Sequence, residues 1–352
     1  MNKKILAVAV AAAMAAPLAV LADEGNVTLY GSANMAVEWV DNGVDDGVTN
    51  VSTNQSVLGV KGFEPLGNGL KAVFLFDSLL NLDSGGPTLF DGGRDGWAGL
   101  SGGFGTVALG FQGRPWKTST NNLDVFGSTI ADYSSIMGTI PVVVGGEVVA
   151  GAFFDSGCGN ALIYFAPNMN GLSGHAQYCN DEVEGAKSDQ YGAQVNYGNG
   201  PLYLAFSHDR IQTDGVDDLT ASKVAASYTF AAATTLTGIY ERIDIEDVQR
   251  DSFYIAAAHK MGNNTLKAAY AHASDTDLGF DDGADYFAVG ADHNFSKRTS
   301  VYALYARTSN DDDGVYGLGS PANPLLSSTG STFAGGFGED VSAFAVGMKH
   351  NF

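Results

Sequence analysis

What most constrains this chain is a strict alternation of apolar with polar or small residues, and its carboxy-terminal segment shows it without interruption. Phe344, Val346, Met348, His350 and Phe352 fall on one face, and Ala345, Gly347, Lys349 and Asn351 on the other. Successive side chains of a strand point to opposite faces, so the segment carries an apolar surface on one side only. The same period sets Tyr191, Ala193, Val195 and Tyr197 against Gly192, Gln194 and Asn196. It recurs with Val224, Ala226, Tyr228 and Phe230 against Lys223, Ala225, Ser227 and Thr229, and with Phe253, Ile255, Ala257 and Met261 against Ser252, Tyr254 and Lys260. No helix-period segment separates these strands, which argues against a parallel α/β arrangement.

Composition agrees. Of the 352 residues 45% are hydrophobic and only 16% charged, with 46 glycines. Such a chain is too apolar for disorder and too glycine-rich for a helical bundle, and it suits many strands joined by turns. Lys3 and Lys4 precede an apolar stretch, Ile5 to Leu21, that ends at a small-residue site before Asp23. We read residues 1–22 as a cleaved secretory signal peptide and 23–352 as a single domain. An uncleaved anchor helix is the alternative, disfavoured by the alanine-rich stretch and Pro17. Further along, no segment approaches the roughly 20 apolar residues of a spanning helix. Residues 140–154 come nearest and contain Gly145, Gly146 and Glu147.

Turn signals set the architecture. Compact turns fall at 64–68, 101–105, 168–171, 198–200, 231–233, 262–264 and 296–298. Longer polar connections span 41–50, 81–94, 112–157, 180–189, 211–219, 244–250, 274–285 and 309–340. Seven short and eight long connections join sixteen strands. Alternation of short and long connections, with an apolar face toward lipid and a polar face toward a wet interior, predicts an all-β transmembrane antiparallel β-barrel of the outer-membrane kind. Tyr197, Phe230, Phe295 and Phe352 each stand where a strand meets a short turn or the terminus, placing aromatics in one interfacial ring. An antiparallel sandwich could bury the same apolar faces but does not call for so many consecutive hairpins.

The stretches Val27 to Gly31, Gly59 to Phe74, Trp97 to Gly110 and Asn294 to Ala303, with the terminal Phe352, carry a family resemblance. Together they resemble the sixteen-stranded general porins of Gram-negative bacteria, the neisserial type especially. The resemblance implies a homotrimer of water-filled barrels that passes small hydrophilic solutes and ions by passive diffusion, without a cofactor. It implies that the long third loop, 112–157, folds into the barrel and narrows it. On that reading Asp124 and Asp132, with Glu147 and Asp155, face the basic residues Lys61, Lys71, Arg94 and Arg114. Lys117 joins those bases, and Lys223, Lys260 and Lys267 lie farther round. Opposed charges across a narrow water channel make a transverse field that filters ions. Relatives often place arginine where this chain has Val57 and Phe111, and a polar residue where it has Leu75. Part of the basic wall is therefore missing, and a weak cation preference is expected. Val142 to Val144 with Val148 and Val149 form either an extra strand pair or a trimer contact.

A net charge of −21, much of it on external aspartates such as Asp311 to Asp313, gives an acidic mouth that concentrates cations and repels nucleic acid. Divalent ions shared with lipopolysaccharide fit such a surface, but no loop has the spacing of a dedicated calcium site, so no metal site is assigned. Cys158 and Cys179 lie almost symmetrically about the turn at 168–171, which puts them opposite each other on adjacent strands. In an oxidising periplasm they are expected to form a disulfide rather than two independent thiols. The six histidines are scattered singly, and no nucleophile elbow or phosphate loop is present, so the sequence does not read as an enzyme. The competing reading is a surface adhesin or structural barrel without significant transport.

Overall fold

The computed structural model describes residues 25–44, 47–83, 90–144, 147–180, 189–213, 216–245, 248–319, 333–334 and 336–352. The expected signal peptide, residues 1–22, lies outside them, as do the external acids Asp45, Asp46, Asp181, Glu182, Glu246 and Asp247. Sixteen strands form the barrel: β1 (Asn26–Asp41), β2 (Val48–Thr53 and Val57–Gly67), β3 (Leu70–Leu80), β4 (Phe90–Gly102), β5 (Gly105–Gly113), β6 (Gly157–Phe165), β7 (Leu172–Cys179) and β8 (Gln190–Asn199), continuing with β9 (Leu202–Thr213), β10 (Val216–Phe230), β11 (Thr234–Ile245), β12 (Val248–Met261), β13 (Asn264–Ala273), β14 (Ala284–Asn294), β15 (Thr299–Asn310) and β16 (Val341–Asn351). Each strand pairs antiparallel with its sequence neighbour. The sheet closes where β1 meets β16, with Ser32 opposite Asn351 and Asp41 opposite Ser342. Closure leaves no open edge, the condition for strands in lipid.

The terminal phenylalanine completes that seam. Gly31 N–H donates to the Phe352 carbonyl at 3.2 Å and Phe352 N–H donates back at 3.0 Å. A Cβ on Gly31 would stand 2.5 Å from the Phe352 ring and 2.3 Å from the Val57 carbonyl, so only glycine fits there. At the first tight turn, Asn68 (φ 52°) and Gly69 (φ 78°) form a two-residue hairpin loop of the kind whose backbone matches strand twist. Strand β2 breaks at Gln55, which takes a left-handed φ of 50°. The break is sealed by Asn34, whose Nδ2 donates to the Asn54 carbonyl at 2.8 Å and whose backbone N–H donates to Ser56 Oγ at 2.8 Å.

Alternation sorts the two faces as the sequence indicates. Val195, Phe206, Val224, Ile255, Phe344, Val346 and Met348 are exposed on the outer, lipid-facing surface. Their neighbours Ser207, Lys223, Ser252, Tyr254, Ala343 and Ala345 are buried inside. Phe230, Phe295 and Phe352 are exposed at strand ends beside the short turns, as the aromatic ring requires.

Two connections differ from the sequence reading. Strand β9 runs to Thr213, opposite Val216, and β11 runs to Ile245, opposite Val248, so the spans 211–219 and 244–250 are mostly ladder and not long loops. Charged residues at the outer ends of strands sit above the hydrocarbon and do not prevent pairing; Arg210 of β9 makes an ion pair with Asp218 of β10. Arg250 thereby becomes an inward-facing residue of β12, fully buried.

Candidate functional site

The interior is shaped by the third loop, residues 114–156. It begins with one helical turn (Pro115–Thr118), continues through a short 3-10 turn (Tyr133–Ser135) and ends in a hairpin, Thr139–Val144 paired with Glu147–Phe153. The valines at 142–144 and 148–149 thus form an extra strand pair. The loop's apolar residues Trp116, Phe126, Ile130, Ile136 and Met137 are fully buried. They pack in one cluster with inward residues of β9 to β16, many of them alanines: Ala221, Ala256, Ala269, Ala271, Ala288, Ala306 and Ala343. Small side chains on the wall make room for large ones on the loop.

Polar clamps fix that contact. Glu241 of β11 accepts from Gly138 N–H at 2.9 and 3.1 Å and lies 3.6 Å from Arg250, both side chains being fully buried. Arg250 in turn donates to the Ile136 carbonyl at 3.1 Å and to the Tyr316 hydroxyl. Lys223 donates to Thr120 Oγ1 at 2.5 Å and stands 3.1 Å from the Trp116 ring centroid, a desolvated cation–π contact. Asp209 accepts from Trp116 N–H at 3.1 Å, Asn34 donates to the Ser128 carbonyl at 2.7 Å, and Tyr286 donates to the Ala131 carbonyl. Tyr254 stacks edge-on against Tyr133 at 5.4 Å and donates to Asp124 at 3.1 Å.

Asp124 and Asp132 do not face the basic residues, contrary to the sequence expectation. Asp124 accepts from Phe126 N–H at 2.9 Å and Tyr133 N–H at 3.0 Å. Asp132 accepts from Ser128 N–H at 3.1 Å and from Ser134 through its N–H at 3.0 Å and its hydroxyl at 2.6 Å. A carboxylate next to unsatisfied backbone donors in a tight turn bonds them rather than reaching across water. Burial first, then the neighbouring Asp132, pushes the Asp124 carboxyl up to about 7. Burial and Asp155 raise that of Asp132. Asp155 itself pairs with Lys117 at 3.3 Å.

Of the four basic candidates, Arg114 is buried against the wall and donates to Gln190 Oε1 at 2.7 Å. Arg94 lines a polar cavity of about 250 Å³ beside the loop, together with Gln55, Asp95, Phe111, Lys117 and Asn121. Lys61 and Lys71 are exposed and stand over the rings of Tyr30 and Phe63, at 5.1 and 4.9 Å. Among the described residues Lys61, Lys71 and Arg94 form no ion pair. The acids on that side are engaged: Asp77 accepts from the Tyr30 hydroxyl and from Asp95 N–H, each at 3.0 Å, and Asp95 accepts from Gly113 N–H at 3.0 Å. Farther round, Lys267 pairs with Asp292 at 2.8 Å.

Sequence reasoning missed Asp209, Glu241, Arg250 and Tyr254 as loop clamps. Their signal was charge or a hydroxyl at an inward position of a strand, visible only once the register is known. Cys158 and Cys179 are joined in a disulfide with Cα atoms 6.3 Å apart. They are not directly opposite in the ladder: Cys179 faces Ala161, three residues along β6 from Cys158. The bond ties the return of the third loop to β7. At the mouth, Asp275, Asp281 and Asp311 bring carboxylate oxygens within 4.8 Å of one another, all exposed.

A closed sixteen-stranded barrel with an apolar outer surface and a loop packed inside its lumen is the architecture of an outer-membrane channel. The comparisons with known proteins carry this further. The family model described as "Gram-negative porin" matches residues 7–313, and the chain belongs to that family. It is 28% identical to "Outer membrane porin protein 32" of Delftia acidovorans over the full length of both chains. It is 30% identical to "Major outer membrane protein P.IB" of Neisseria meningitidis over 86% of this chain and 91% of that one. Among solved structures it resembles "Anion-selective porin from Comamonas acidovorans" with a TM-score of 0.80 at 26% identity, covering 94% of this chain and all of the other. The protein is a multi-pass β-barrel of the Gram-negative outer membrane, and its relatives are porins, which are channels and not enzymes.

Proposed function

We propose that the chain assembles as a homotrimer, each barrel passing small hydrophilic solutes and ions by passive diffusion. One observation carries the reading: the loop covers one side of the lumen, and between Lys117 and Asn121 of the loop and Arg94 and Asp95 of the wall an open cavity lined by polar and charged residues remains. Export with removal of residues 1–22 belongs to it, and a mature amino terminus at Asp23 is the expected result of sequencing. At the mouth, divalent ions shared with lipopolysaccharide suit the external acids.

The weak cation preference expected from the sequence has lost its footing. It rested on the arginines absent at Val57 and Phe111, on the acidic mouth, and on Asp124 and Asp132, and the carboxylates of those two are bound within the loop. Lys61, Lys71 and Arg94 then meet the lumen with Asp77 and Asp95, acids already held by donors. We infer a weak anion preference in concentrated salt, in keeping with the anion selectivity for which the Comamonas acidovorans porin is named. The external acids are screened beyond about 8 Å at physiological salt, so preference should drift toward cations only as salt is lowered. Reversal potentials across a planar bilayer under a salt gradient test this. Clear cation preference in concentrated salt overturns the selectivity, and a barrel that opens no channel overturns the transport function in favour of a surface barrel.

A further inference from the structure

On the wall that the loop leaves uncovered, the barrel interior carries a concavity of about 330 Å³ whose lining includes Thr28, Lys61, Phe63, Val73, Leu75 and Trp97. The register places it inside. Thr28 faces Lys61, Lys61 faces Leu75, and Leu75 faces Trp97. Asn34 and Glu38, on the same face of β1 as Thr28, are buried in the lumen, whereas Val27 and Leu29 on the other face are 68% and 62% exposed.

Most of this lining is apolar, in a channel whose walls have every reason to be wet. Trp97 is held in place: its indole N–H donates to Gln112 Oε1 at 2.8 Å and its ring lies 5.7 Å from that of Phe165. Two cations flank the apolar floor, Lys61 within the lining and Lys71 over the Phe63 ring, and neither forms an ion pair among the described residues. An apolar concavity with a few convergent polar groups is the usual form of a small-ligand site. A contiguous apolar patch facing water is a binding surface more often than an accident.

We propose that this concavity is a binding subsite for amphipathic monocarboxylates, small anions with a ring or short hydrocarbon chain. The apolar part rests on Phe63, Val73, Leu75 and Trp97, and the carboxylate meets Lys61, with Lys71 as a second cation nearby. Free sugars and inorganic ions lack the apolar part, and neutral aromatics lack the charge. The subsite deepens the channel reading and rests on it, since a solute reaches this wall only through an open barrel.

The test is current through the assembled protein in a planar bilayer, with phenylacetate, acetate or phenylethanol added to one side. Phenylacetate should reduce the current saturably, and acetate and phenylethanol should need concentrations about tenfold higher, the factor that about 1.4 kcal/mol represents. Each variant is read against its own current without ligand. Lys61→Gln should erase the difference between phenylacetate and phenylethanol, and Leu75→Gln should erase that between phenylacetate and acetate. If Leu75→Gln yields no assembled barrel, Lys61→Gln and the three solutes on the unaltered protein still decide. Equal effects of phenylacetate and acetate on open channels would overturn the subsite. Failure to open in salt alone would overturn the channel reading instead.

Discussion

The two sides of the lumen wall obey one strand alternation and have opposite interiors. From β9 to β16 the inward positions beneath the third loop are alanines, a few larger apolar side chains and clamping polar residues, buried from water. From β1 to β4, toward the short turns, they are Tyr30, Lys61, Phe63, Leu75 and Trp97, large or charged and left partly exposed, whereas Asn34, Ala36, Glu38 and Val40 farther along β1 join the buried side. The closed side behaves as a protein core, where volume and buried charge matter. The open side behaves as a surface, where solute chemistry matters. A barrel strand therefore does not dictate what its inner face does; the loop docked against it does.

If the closed side is a core, its buried ion pair should be the most costly thing to break. Arg250→Met leaves Glu241 buried without its cation and is expected to destabilise the barrel by about 3–5 kcal/mol in urea unfolding from lipid vesicles, with noisier single-channel currents. A loss below about 1 kcal/mol would mean that the pair is solvated and the two sides are alike. Next comes the Cys158–Cys179 bond, which closes a sequence separation of 21 residues beside the loop's return. Cys158→Ser with Cys179→Ser should cost about 2–4 kcal/mol, measured the same way. Non-reduced peptide mapping should first show the two cysteine peptides joined.

Overpacking sharpens the comparison directly. Ala288→Leu on the closed wall, where Ala288 is fully buried, should cost about 1–3 kcal/mol. Thr28→Leu on the open wall should stay within about 0.5 kcal/mol. Equal costs would erase the distinction. The smallest effect concerns pH. Asp124 in the docked loop titrates near 7, above an ordinary carboxylate, so the docked state holds a proton that a released loop gives up. Docking is then fully stabilised below about pH 4 and weakens as pH rises toward 7, because the released state binds fewer protons across that window. Asp124 keeps part of its surface open to the lumen, which moderates the change. Proteolysis of the loop should become faster over that range, and Asp124→Asn should flatten the profile.

Much of the fold was legible in the residues themselves. Phe344, Val346 and Met348 announce a lipid face, and compact signals such as Asn68–Gly69 mark the turns, because period and turn chemistry are local properties. The outer ends of β9 to β12 were harder, since charged residues such as Asp218 and Arg250 look like loop until their partners across the ladder are known. The candidate site was legible only in part. Lys61 and Arg94 border cavities, while Asp124 and Asp132 were set against the bases by the family resemblance and their charge, and nothing in the local sequence reveals that backbone N–H groups of the same loop would take those carboxylates.

By itself the sequence determined that this chain forms strands with one greasy face, how many there are, and that two cysteines bracket a hairpin. These follow from side-chain alternation and backbone conformational preference, which act between neighbours. Tertiary structure alone decided which inward residues are core and which are channel wall. Glu241, Arg250 and Lys223 acquire partners from far along the chain in the third loop, as the contacts of Glu241 with Gly138 (103 apart), Arg250 with Ile136 (114) and Lys223 with Thr120 (103) record. Whether a charge is buried or bathed in water depends on what packs over it, and that is settled only when the loop folds into the closed barrel.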